Sequence, residues 1–97
     1  MLTFILKKEW FDKIKRGEKT VEYREITDYW QKRIINFTVK ANEGKGRFIQ
    51  FRRGYTRETL TALVTNIESM MGDNTDLKVH KRVFAIKFRL VTKRRAK

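Results

Sequence analysis

Val83 to Leu90 is the cleanest strand pattern in the chain: Phe84, Ile86, Phe88 and Leu90 fall on one side, and Lys87 and Arg89 on the other. Successive side chains of a strand point to opposite faces, so this stretch predicts a strand with four large apolar groups on one face. A lone strand or hairpin cannot shelter such a face from water, so the chain must build a sheet around it.

The rest of the chain offers several partners. Leu2 to Leu6 is a short apolar run suited to a buried strand. Thr20 to Ile26 predicts a strand that turns Val21 and Tyr23 one way and Thr20, Glu22 and Arg24 the other. Phe37 to Lys40 and Gly46 to Arg53 read as a β-hairpin across the turn Ala41 to Lys45, where Asn42 and Gly44, with Gly46 just after, tolerate positive φ. Gly54 and Tyr55 end the hairpin, and Thr56 to Thr59 makes a turn. Leu60 to Met70 is rich in Thr, Val and Ile and predicts a long strand, although Leu60, Leu63, Val64 and Ile67 also fit helical spacing. Met70 and Met71 read as core fillers at its end, and Gly72 to Asp76 as a loop.

Two short helices complete the pattern. Glu9 to Arg16 places Trp10, Phe11 and Ile14 on one face, with Gly17 as the C-terminal stop. A second helix runs through Tyr29, Trp30, Arg33 and Ile34, capped by Thr27 or Asp28. The predicted fold is therefore α+β: one small β-barrel of five or six strands with two short helices over residues 1–91, followed by a basic tail over residues 92–97.

The 97 residues include no cysteine and a single histidine, His80, which excludes thiolate chemistry and histidine metal clusters; no metal or cofactor is expected. No apolar run approaches the roughly 20 residues of a membrane span, and the first ten residues lack the pattern of a signal peptide, so the expected setting is the cytoplasm, without membrane contact and as a monomer. Charge is the most informative bulk property. Lysine and arginine number 24 against 11 acids, a net +13. The excess is concentrated: Lys78 to Lys97 carries nine basic side chains and no acid, whereas six of the eleven acids precede residue 29. Such a surface attracts polyanions through counterion release.

One segment adds specificity. Gly17, Glu18, Lys19, Thr20, Val21, Glu22, Tyr23 and Arg24 fit G-x-K-x-x-E-x-R, with the helix WFDKIKRG running into them, EITDYW after them, FRRGYT in mid-chain and VFAIKF as a closing strand. In this order the segments resemble the ASCH domain family, and the resemblance covers nearly the whole chain. It implies a PUA-like barrel with a cleft partly lined by the motif strand, and a role in RNA-linked processes; some members are amidohydrolases of acetylated cytidine or ribonucleases.

From the residues themselves, a cleft holding Lys19, Thr20, Glu22 and Arg24 could grip a base: the cations toward phosphate or a base carbonyl, Glu22 toward an exocyclic amine. The plain alternative is a surface ion pair between Glu22 and Arg24. Tyr55, beside Gly54, is a stacking candidate, as is Tyr29, whereas Trp30 reads better as core. Arg52, Arg53, Lys87, Arg89, Lys93, Arg94 and Arg95 are the candidates for backbone phosphates, and His80 reads as a solvated member of a basic patch. The expected function is binding of RNA or another nucleic acid, or of a modified nucleoside. The alternatives are a hydrolase using Lys19, Glu22 and Glu68, and a protein-interaction module with a basic face. The hydrolases that the chain resembles carry a nucleophilic threonine where Glu22 stands here, with Thr20 the nearest hydroxyl, and that departure argues against their reaction.

Overall fold

The alternating C-terminal segment does become an inner strand of a sheet. The computed structural model describes residues 1–91, with strands β1 (Leu2–Leu6), β2 (Val21–Glu25), β3 (Phe48–Arg53), β4 (Thr59–Met71) and β5 (Arg82–Leu90) and helices α1 (Lys8–Lys15) and α2 (Asp28–Asn42). The strand order is β1-β3-β4-β5-β2. Only the β1/β3 pair is parallel; the other three pairs are antiparallel. The inner face is built from alternate residues of all five strands. Phe4 and Leu6, Ile49 and Phe51, Ala62 and Val64, and Ile86 and Phe88 are all buried there.

The sheet curls into a half-barrel. β4 is 13 residues long, pairing with β3 through its first half and with β5 along most of its length, and its register slips at a bulge between Val64 and Asn66. A bulge increases local twist and bends the strand that carries it. The curl brings the two edge strands face to face: Arg24 of β2 donates from Nη2 to the carbonyl of Ile5 in β1 at 3.4 Å. No backbone ladder closes this seam.

Helix α1 buries Phe11 and Ile14 against the core. Helix α2 corrects the sequence expectation, because Phe37 to Lys40 is helical and the hairpin does not exist, which leaves five strands. Trp30, Ile34, Phe37 and Ala41 recur at helical spacing, and the first three pack against the core. The β-branched residues that suggested a strand are accommodated: Thr38 donates from Oγ1 to the Ile34 carbonyl at 2.9 Å, and Val39 faces solvent. Of the two proposed caps, Thr27 serves, its Oγ1 accepting from the Trp30 N–H at 3.2 Å.

β5 is also less one-sided than its pattern suggests. Val83 and Ala85, on its outer face, are fully buried, and the chain after β4 folds back over Val83. Gly72 permits the approach: a Cβ there would lie 2.8 Å from the Val79 carbonyl oxygen and 3.0 Å from Val83 Cγ1, closer than real contacts allow. Met71 faces solvent and is not a core filler. No helix among the described residues is long and apolar enough to cross a membrane.

Candidate functional site

Where the two edge strands face each other, a cleft of about 550 Å³ opens. Alternation along β2 sends Glu22 and Arg24 to the inner face, opposite Ile86 and Phe84 of β5. The Glu22 side chain is only 7% exposed. Arg24 donates from Nε to Glu22 Oε2 at 2.8 Å, and its guanidinium carbon lies 4.8 Å from the Trp30 ring centroid and 5.1 Å from that of Phe4. Trp30 and Phe4 are themselves stacked, centroids 4.9 Å apart and planes 12° from parallel. The sequence placed Trp30 in the core; it is half-buried, with its ring both packed on Phe4 and lining the cleft.

Lys19 reaches the same carboxylate from the other side. α1 ends in a reversal at Gly17, whose φ is +80°, and the N–H groups of Glu18 and Lys19 donate to the Lys13 carbonyl. That turn fixes Lys19 at the mouth of β2. Its Nζ stands 3.5 Å from Glu22 Oε1, pairs with Asp76, and lies 5.5 Å from the Trp10 ring centroid and 5.2 Å from that of Tyr23. Asp76 arrives from the segment that folds back over Val83. Each oxygen of Glu22 thus faces a cation, and each cation faces an aromatic ring.

Burial pushes the Glu22 carboxyl above its ordinary range; Arg24 and then Lys19 pull it back down, and Asp76 adds a smaller upward push. Lys19 and Arg24 together balance Glu22 and Asp76, so the floor carries no net charge when all four are ionised. It is a set of fixed donors and acceptors in a sheltered cleft with aromatic walls, suited to directional hydrogen bonding more than to general attraction of phosphate. Tyr29 stands at the rim, 55% exposed, edge-on to Trp30.

The other candidates are dispersed. Thr20 is exposed and lies outside the cleft lining, in an adjoining shallow depression that it borders with Lys13, Glu18, Lys19 and Asn74 and that shares Trp10, Tyr23 and Asp76 with the cleft. Glu68 sits opposite Ala85, one residue out of phase with Glu22, so it faces the outer side and pairs with Lys87 at 2.8 Å; that carboxylate hydrogen bond raises the Lys87 pKa. The structure therefore does not bring Glu68 to Lys19. Tyr55 is 90% exposed on the turn before β4 and lies away from the cleft lining. Arg53 is held near Asp12 at 3.6 Å and Glu58 at 3.8 Å. Arg52 is half-buried, its Nε without a hydrogen-bond partner. Arg89 is exposed on the outer face, and His80 pairs with Asp73 at 2.8 Å in solvent. Lys93, Arg94 and Arg95 lie outside the described residues. Among those described, no group of three or more His, Cys, Asp or Glu side chains could hold a metal ion.

The residue that sequence reasoning missed is Asp76. Its only local signal was an acid-bearing loop, and its reach to Lys19 depends on the close approach that Gly72 allows. No protein-family model matches the chain, and no curated protein or solved structure matches it either.

Proposed function

We propose that the seam cleft binds a single base of an RNA strand, or the same base as a modified nucleoside. The carrying observation is Glu22: a carboxylate buried at the foot of an aromatic cleft, gripped on one oxygen by Arg24 and on the other side by Lys19. Ionised, it accepts hydrogen bonds from an exocyclic amine, while spare N–H groups of Arg24 meet a base carbonyl. Tyr29 at the rim offers a face for stacking, a contact of roughly 1 to 3 kcal/mol per base. The net charge of +13 supplies long-range attraction independent of sequence. The resemblance of Gly17 to Arg24 to the ASCH motif supports the same reading, and the curled half-barrel sheet is compatible with it.

Binding fits the arrangement better than hydrolysis does. Thr20 lies outside the cleft, and the Thr27 hydroxyl that borders it is occupied as a helix cap. A nucleophile needs its base within hydrogen-bond reach, and Lys19 is instead engaged with two carboxylates.

The test is fluorescence anisotropy of labelled single-stranded RNA, double-stranded RNA and DNA over a salt series. Preferential binding of single-stranded RNA near physiological salt should fall about tenfold in Glu22→Gln, the order of one charge-assisted hydrogen bond, with a similar loss in Arg24→Lys. Indifferent binding that vanishes with salt and ignores both substitutions would overturn the reading and leave only bulk charge.

A further inference from the structure

A second groove of about 520 Å³ lies along the other end of β1, against α2. Its lining includes Arg33, Asn36, Lys40 and Lys45 together with the aromatic rings of Phe37 and Phe48, and no acidic residue borders it. Arg33, Asn36 and Lys40 fall at i, i+3 and i+7 of the helix, one stripe rising about 10 Å from end to end. Among the described residues Arg33 and Lys40 have no acidic partner, and Lys45 has only Glu43 at 3.6 Å, both exposed. Phe48 is 46% exposed beside them. A row of cations, two of them without an acidic partner, next to an open aromatic ring is the arrangement that follows a single strand, backbone along the charges and bases against the ring.

The groove and the seam cleft are both bordered by β1 and α2. Ile5 and Leu6 line the cleft, while Leu2 and Thr3 of the same strand line the groove. Tyr29 borders the cleft and Arg33 the groove, and the Arg33 guanidinium carbon lies 3.5 Å from the Tyr29 ring centroid, forming the divide between them. The contrast in charge is sharp: the cleft floor is internally balanced, whereas the groove is purely basic. A base would be read in one and phosphates held in the other.

Resting on the base-binding reading above, we infer that the α2–β1 groove holds the nucleotides flanking the base in the cleft, so that the ligand is a single-stranded RNA segment rather than a free nucleoside. Lys40 and Lys45 hold phosphates, Arg33 carries the backbone across the Tyr29 divide, and Phe48 offers a stacking face for a flanking base. The cleft would read identity and the groove would supply length-dependent affinity.

The experiment compares labelled random-sequence RNA hexamers, by anisotropy over a salt series, with the four ribonucleoside 5′-monophosphates, by NMR shift titration. The proteins are wild type, Lys40→Ala/Lys45→Ala, Lys32→Ala/Arg57→Ala as a control of equal charge loss, and Glu22→Gln. The groove pair should weaken hexamer binding about tenfold and flatten the salt dependence by roughly 0.7 in slope for each phosphate left unneutralised, with mononucleotide affinity changed less than about twofold. The control pair should leave the hexamer within about twofold. Equal losses from both pairs, or no loss from the groove pair while Glu22→Gln still weakens the hexamer, would overturn the flanking groove and leave the base cleft standing. Sensitivity to the groove pair with none to Glu22→Gln would overturn both the continuous path and the base cleft.

Discussion

Glu22 and Glu68 have similar partners and very different surroundings. Each faces a lysine, Glu22 at 3.5 Å and Glu68 at 2.8 Å, yet the Glu22 side chain is 7% exposed and that of Glu68 is 45% exposed. The shorter pair is the less consequential one. Water screens Glu68 and Lys87, and such surface pairs contribute little to stability. Glu22 has surrendered its hydration, so its partners must replace it, and removing either side strands the other. Distance alone would have ranked these two sites the wrong way round; burial and the second cation, Arg24, decide.

The comparison can be broken most directly by truncation. Glu22→Ala is expected to cost about 3 kcal/mol of folding free energy, the low end for breaking a buried pair, because Arg24 would lose its carboxylate partner while Lys19 kept only Asp76. Urea denaturation checks it. A loss no larger than that of Glu68→Ala would mean that burial does not distinguish the two sites.

A smaller effect separates charge from packing. Because burial raises the folded-state pKa of Glu22, the folded protein binds more protons than the unfolded chain at that group. Its contribution to stability is therefore fully present below the ordinary glutamate pKa and declines as pH rises through the raised value. Glu22→Gln should flatten that decline in denaturation curves taken from about pH 4 to 8. The opposite slope, stability rising with pH at Glu22, would show that the two cations outweigh desolvation.

The smallest expected effect belongs to Glu68→Ala. Its midpoint of denaturation should coincide with that of the wild type within the precision of the curve, in low and high salt alike. A salt-sensitive loss would raise the outer pair above its apparent rank.

What the sequence made legible follows from the range of the forces involved. Strands were readable at Leu2 to Leu6 from an apolar run and at Thr20 to Ile26 and Val83 to Leu90 from a period of two, as was the helix ahead of Gly17, because such patterns and stop signals are local. The same alternation set Glu22 and Arg24 on one face. The second half of α2 was misread because Thr38 and Val39 favour strands, and the glycines at positions 44 and 46 imitate a hairpin turn. The shared core contact of Trp30, Ile34 and Phe37 favours the helix there. The parallel pairing of β1 with β3, the arrival of Asp76 at Lys19 and the exile of Glu68 to the outer face are products of topology, and no window of sequence displays them.

The parallel pairing has a consequence for how the molecule comes into being. β1 cannot pair until α1, β2, α2 and then β3 have followed it, and β2 waits for β5, the last strand of the sheet. Both walls of the seam are thus early in the chain and late in assembly, since long loops must close before either finds its partner. A nascent chain that has yet to reach Arg82 already carries Lys19, Glu22 and Arg24, but not the place where they meet.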